Sequence, residues 1–423
     1  MSEPPALPNA WHIVPLAAAR SARRRGWDEA RRARLAVSLL FLTNGALMAN
    51  LIPRYPDVKD GLGLSNAALG SAIAAYPIGA LVAGLLAARL IGRYGSGTVA
   101  SLGTAVLAAV LVGVPLAGGW AVLALVLLAA GALDAVVDVA QNAHGFRVQR
   151  RYGRSIVNAF HGIWSIGAVV GGLMGSAAAG LDIPLTAHLI GSGALFAALA
   201  LGCRPLLLPG PEDAERATVV AAPQPSAPRP RRRTGGAIGA LLALGVLAAA
   251  GAVVEDAGSS WGALYLRDEL GAAAAVGGLA FVSLQIAMTI GRLTGDRLVD
   301  RFGSGPVARA GGGLIAGGMG LALALPSIGS TLAGFAAAGL GVATLVPAAM
   351  HAADELPGLS PGVGLTIVSW LLRAGFLISA PAVGAVSDAT SLRVGLLGVV
   401  AAGAVVAALS GALGRAQREP AHP

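Results

Sequence analysis

The sequence predicts an all-α membrane protein, twelve transmembrane helices folded as two six-helix bundles, and three observations carry that expectation. Charged residues make up 12% and hydrophobic residues 55% of the chain, with a mean hydropathy of +0.72, whereas a soluble domain keeps about a quarter of its residues charged. Apolar runs of the ~20 residues needed to cross a ~30 Å hydrocarbon core recur along nearly the whole chain. One loop segment also occurs twice: RLIGRYGSGTVA at Arg89–Ala100 and RLVDRFGSGPVA at Arg297–Ala308 agree at eight of twelve positions, with an offset of 208.

In order, residues 1–34 read as a retained cytoplasmic tail. Its basic stretch from Arg20 to Arg34 lacks the small-residue cleavage pattern of a secretory signal, and Asp28 and Glu29 argue against an organellar transit peptide. Residues 35–203 form the first bundle, with spans expected near Leu35–Ile52, Leu69–Leu90, Val99–Leu116, Trp120–Ala140, Ile156–Ala179 and Pro184–Cys203. Residues 204–236, rich in Pro, Ala and Arg with the run PRPRRR, are expected to be a cytoplasmic linker. Residues 237–413 form the second bundle, with spans near Ile238–Val254, Ala275–Ile290, Val307–Leu325, Ile328–His351, Val363–Val386 and Leu392–Leu413, and residues 414–423 a cytoplasmic C-terminal tail.

Arginines concentrate in alternate loops: Arg89 and Arg93, the run from Arg147 to Arg154, the linker, and Arg297, Arg301 and Arg309. By the positive-inside rule these loops are cytoplasmic, so both termini are expected inside. The net charge of +9 is therefore assigned to topology in the cytoplasmic membrane rather than to nucleic-acid binding. The 61 glycines suit helices that pack backbone to backbone, and Gly167, Gly171 and Gly175 form such a ridge on the fifth span. Cys203 is the single cysteine, which excludes an intramolecular disulfide.

The offset that aligns the loops also sets GALDAVVDVA (Gly131–Ala140) over GLGVATLVPA (Gly339–Ala348), so the duplication spans much of each half. This layout, the central linker and Asp300-Arg301-Phe302-Gly303 resemble the major facilitator superfamily and its loop signature between second and third helices. NGALMANLIPRYPDVKDGLGLS after the first span, DVAQNAH ending the fourth and VEDAGSSWGALYLRD after the seventh resemble a bacterial branch that includes rhizopine-transport-type membrane proteins. The resemblance implies two bundles around a central cavity that opens alternately to either side. It also implies a cytoplasmic gate signature at Arg93, Gly95, Asp300, Arg301 and Gly303. The first copy departs from it, with Gly92 where the acid of the charge relay would stand. The glycines of the signature would equally serve as tight turns.

Ionisable groups inside a bilayer cost roughly 2.5–3.5 kcal/mol each on insertion scales and are functional candidates by default. Asp134 and Asp138 lie four residues apart on one face of the fourth span, with His161 at similar depth on the fifth. An Asp138–His161 pair would serve proton coupling, or else a structural latch. Arg373, mid-way along the eleventh span, needs a counter-charge, which Asp134, Glu255 or an anionic substrate group would supply. Glu255 and Asp256 are placed at the outer end of the seventh span. In the family, helices one, four, seven and ten line the cavity, flanked by two, five, eight and eleven. The resemblance therefore implies Asn44, Asn50, Glu255, Trp261 and Gln285 as the substrate site, against the alternatives of interhelical polar contacts and, for Trp261, an interfacial anchor.

The expected function is secondary active transport of a small solute across the cytoplasmic membrane, without cofactor or enzymatic activity and with the proton gradient as energy source. No GxxxxGK[ST] loop is present to bind nucleotide. The expected partners are the solute and the lipid bilayer, with the chain monomeric. Two other classes compete with it: a non-transporting sensor of the same fold, and an intramembrane aspartyl hydrolase built on Asp134 and Asp138. The hydrolase is disfavoured because such dyads come from facing helices.

Overall fold

The computed structural model describes residues 16–212, 234–356, 359 and 362–413. Residues 1–15, the bulk of the expected linker (213–233) and the expected C-terminal tail (414–423) lie outside them. Every regular element among the described residues is helical. The first half contains α1 (Leu16–Leu51), α2 (Tyr55–Leu62), α3 (Asn66–Ile73), α4 (Ala75–Tyr94), α5 (Ser96–Leu111), α6 (Trp120–Tyr152), α7 (Val157–Gly180) and α8 (Leu185–Cys203). The second contains α9 (Thr234–Ser260), the short α10 (Gly262–Leu264) and α11 (Ala274–Gly277), α12 (Leu279–Phe302), α13 (Ser304–Ala324), α14 (Ile328–Val342), α15 (Leu345–Asp354), α16 (Val363–Ala389), α17 (Leu392–Gly395) and α18 (Leu397–Leu409).

Among the described residues, eleven helices are long and apolar enough to cross a membrane, and the bent pair Leu86–Tyr94 and Ser96–Leu111 brings the number to twelve. The third span falls short alone because α5 has only 16 residues. Spans two and ten are each broken, three to four residues before Pro77 and Pro347, where the missing N–H removes the bond to the preceding turn.

Several helices outrun the apolar segments that predict them. α1 begins at Leu16, not Leu35, because its Ala- and Arg-rich start has high helix propensity. Ala30 and Ala33 are fully buried, Arg34 donates to the Tyr152 hydroxyl (3.0 Å), and Arg151 pairs with Glu29 (2.5 Å). The expected tail thus supplies the opening turns of the first helix, packed on the end of α6. α6 itself continues twelve residues past Ala140, and α12 twelve past Ile290.

The two halves repeat one packing scheme. In the first, α1 packs on α7, α4 on α6, and α5 on both α6 and α8; in the second, α9 packs on α16, α12 on α14, and α13 on both α14 and α18. The duplicated loop repeats in backbone as well. Gly95 (φ 82°, ψ 145°) and Gly303 (φ 85°, ψ 155°) take almost the same left-handed conformation between consecutive helices, one that side chains rarely adopt. The glycine ridge of α7 lies against the carbonyls of Leu42, Ala46 and Asn50 on α1, and a Cβ at Gly167, Gly171 or Gly175 would collide with them. The halves meet through α3 on α16 and α7 on α12, toward the face away from the linker.

Candidate functional site

Between the halves lies a cavity of about 350 Å³, bounded by both. Its first-half wall is organised by Asn44, whose amide donates to Asp134 Oδ1 (2.7 Å) while its oxygen accepts from Trp164 Nε1 (2.9 Å) and Gln141 Nε2 (3.3 Å). The Tyr76 phenol lies within hydrogen-bonding reach of Asp134. One asparagine thus joins α1, α6 and α7, and leaves Asp134 facing the cavity.

The second-half wall carries Glu255, Asp256, Gln285 and Arg373. α9 continues to Ser260, so Glu255 and Asp256 lie more than a turn inside the helix rather than at its end, which corrects their expected position. Glu255 approaches Arg292 of α12 at 4.0 Å. Asp256 Oδ1 accepts from Ser260 Oγ (2.9 Å), whereas its Oδ2 is buried without a hydrogen-bond partner. Gln285 is 2% exposed and lines the cavity. Arg373 also lines it, but forms no ion pair within 4.0 Å among the described residues; the expected partners Asp134 and Glu255 are both committed elsewhere. The acid within its electrostatic reach is Asp138.

Two expected substrate residues are elsewhere. Asn50 follows Asn44 by six residues, a rotation of about 240° around the helix, and so faces the opposite way. It is buried between α1 and α8, donating to Ser192 Oγ (2.7 Å) and bonded through Oδ1 to His188 Nε2 (2.8 Å). Trp261 is fully buried beyond the end of α9, with its ring edge against Gly70 of α3, so it is neither in the cavity nor an interfacial anchor. Its Nε1 has no partner.

Asp138 sits below the cavity, in a wider recess open to the linker side, and accepts from Asn142 Nδ2 (3.0 Å) and Gln141 Nε2 (3.4 Å). His161 stands edge-on to Phe41, with centroids 5.3 Å apart, and makes no hydrogen bond to Asp138. The expected pair is therefore not formed, although the two charges sense each other. Asp138, His161, Arg292 and Arg373 are all exposed on the facing sides of the halves, which marks the cleft as open toward the linker face.

The opposite face is closed by bonds between the halves. Asp57, held by Arg54, accepts from Arg267 (2.6 Å), and Lys59 pairs with Asp268 (3.0 Å). Asp388 at the end of α16 receives the N–H groups of Asn66 (2.9 Å) and Ala67 (2.8 Å), capping α3 from the other half. On the linker face the signature residues form no ion pair across the cleft among the described residues: Asp300 and Arg301 are exposed, and Arg93 and Arg301 lie over the neighbouring rings of Tyr94 and Phe302. Asp300 and Arg301, adjacent in a helix, point about 100° apart and do not join each other.

Sequence reasoning missed Tyr76, Trp164, Gln141 and Arg292. Gln141 and Arg292 fall just past the ends assigned to spans four and eight, at Ala140 and Ile290, so apolarity hid the polar continuation of both helices.

No family model matches the chain. An uncharacterized MFS-type transporter of Yersinia pestis is 29% identical over 357 residues, covering 84% of this chain and 89% of the relative. Membrane protein MosC of Rhizobium meliloti is 29% identical over 379 residues, covering 89% and 88%. Among solved structures, nucleoside transporter NupG superposes with a TM-score of 0.67 at 14% identity, covering 93% of this chain and 100% of that one. A bacterial homolog of the human lysosomal transporter Spinster, inward-facing and occupied, gives 0.66 at 16%, covering 91% and 96%. The chain is thus a multi-pass membrane protein with the fold of major facilitator transporters, and the curated relatives that it resembles along most of its length include an MFS-type transporter.

Proposed function

We propose that the chain is a secondary transporter of the cytoplasmic membrane that moves a small polar solute by rocking its two halves about the central cavity, with protons as co-substrate. The observation that carries this reading is the asymmetry of closure. One cavity, walled by both halves and carrying polar groups on each wall, is sealed on one face by inter-half bonds of Asp57, Lys59 and Asp388 and open on the other. A solute site reached from one face at a time is what alternating access requires. The arginine-rich linker face is cytoplasmic by the positive-inside rule, which makes this conformation inward-open.

Asp134 is the proposed proton carrier. It is the carboxylate that Asn44 holds at the cavity wall, where it can exchange a proton with either side as the cavity switches. Arg373, which has no ion pair among the described residues and is exposed in the cavity, is proposed to meet a polar or anionic group of the solute. The transporter names of the relatives support transport, and they do not reach the solute. Purified protein in proteoliposomes, screened with sugars, polyols, amino acids and organic cations, is expected to accumulate one of these under an imposed pH gradient. Accumulation indifferent to the gradient in both directions would remove the proton from the mechanism. No flux of any solute bound in a thermal-shift screen would favour the sensor reading instead.

A further inference from the structure

The first copy of the duplicated loop has Gly92 where the second has Asp300, yet its corner is not without an acid. After α8 the chain turns through Arg204–Leu206 and returns to the first-half loop, where Leu207 and Leu208 are buried. Leu208 N–H donates to His144 Nε2 (3.0 Å), and His144 Nδ1 meets Ser96 Oγ (2.8 Å). Arg147, 2% exposed, donates to the Pro209 carbonyl (2.9 Å). Glu212 then accepts from the backbone N–H of Ser96 (2.6 Å), the first residue of α5, and from Arg147 (3.3 Å). The opening segment of the linker is therefore a strap, clamped over the end of α6 and the start of α5.

We propose that Glu212 is the acid of the first half's linker-face corner, standing in for the carboxylate that Asp300 gives the second copy, and that it governs how readily the two basic rims approach. This rests on the rocking reading above. Arg93, Arg147 and Arg150 line the recess that Glu212 enters, together with Gly92. The second half's copy of the loop carries Arg297 and Arg301, both exposed. Closing this face brings like charges together, and Glu212 offsets part of that repulsion. A carboxylate at the start of α5 also complements the helix dipole and satisfies a terminal N–H. Gly92 has no atom within 4 Å of a built Cβ and borders the same recess, so an aspartate there has room to take the role back.

The test uses the full chain in oriented vesicles, with Ser259→Cys in the cavity wall as a reporter for a membrane-impermeant maleimide applied at the linker face; Cys203 is buried. Glu212→Gln is expected to speed hydrogen exchange in the peptide containing Ser96. It is also expected to raise labelling about twofold, the effect of one like-charge contact across water at roughly 8 Å, with the gain vanishing in ~1 M salt. Adding Gly92→Asp should restore both readouts, and adding Gly92→Asn neither. Unchanged exchange at Ser96 in Glu212→Gln, or equal rescue by Asn and Asp, overturns the substitution of one acid for the other. Exchange that rises and is rescued while labelling stays constant reduces Glu212 to a clip on the corner and overturns its part in gating. Failure of the rocking reading is separately visible, as a parental reporter that labels from one face only.

Discussion

Replacing Asp388 by alanine tests whether the sealed face is one of two states or a fixed wall. Its carboxylate receives two N–H groups at the start of α3, and the donors belong to the opposite half. Loss of the acid therefore acts on the equilibrium between conformations rather than on the folding of either half. Capping carboxylates contribute about 0.5–2 kcal/mol; because Asp388 is exposed to water and Ser65 still caps Ala68, the low-to-middle value of ~1 kcal/mol is appropriate. That is about a fivefold shift toward opening of the sealed face. Asn keeps one neutral acceptor, so Asp388→Asn should give roughly half the free-energy change, about a twofold shift. The assay is maleimide labelling of Ser259→Cys applied from the sealed face, with thermal unfolding in detergent as the control. The reasoning is refuted if labelling is unchanged in Asp388→Ala, or if the melting temperature falls while labelling does not rise.

Further outcomes follow from particular contacts. Gly171→Ala forces a Cβ against the Ala46 carbonyl and should cost about 1–3 kcal/mol in thermal stability, whereas Gly162→Ala on the same helix, with nothing within 4 Å, should be neutral or stabilising. Asn44→Ala strips partners from Asp134, Trp164 and Gln141 and should abolish uptake in protein that still folds; Asn50→Ala should instead lower stability by about 1–3 kcal/mol and leave the KM of the folded fraction unchanged. Asp134→Asn should abolish accumulation driven by a pH gradient while preserving counterflow exchange of the same solute.

The duplication and the span starts after the first were legible because apolarity and a near-identical loop are local signals. Which side chains share the cavity was less so. Asn44 and Asn50 look equivalent along the chain, but the six-residue step turns one to the cavity and the other to His188. Trp261 reads as an amphipathic residue at a helix end, yet closure of the far face covers it. Arg292 was hidden by ending the eighth span where apolarity ends, although the helix carries on to Phe302. The strap ending at Glu212 has no sequence signal beyond the absence of an acid at Gly92, since its position depends on the chain returning after α8.

The halves share a packing scheme but divide the chemistry at one pair of matched helices. α6 is continuous for 33 residues and presents Asp134 and Asp138, while its counterpart is split into α14 and α15, with Val342 and Val346 in the matched places. Pro347 accounts for the split, because it offers no N–H to the carbonyl of Ala343. A broken helix can bend during rocking, whereas a straight one keeps its carboxylates at a set depth. Pro347→Ala should rejoin α14 and α15. A proline inside a helix costs about 3 kcal/mol, but the surroundings are packed around the break, so a gain of ~1 kcal/mol in thermal stability is expected. Interconversion, followed by labelling of Ser259→Cys from both faces, should slow. Higher stability with unchanged labelling from either face would mean that the bend is only a scar of the proline and that the second half rocks as rigidly as the first.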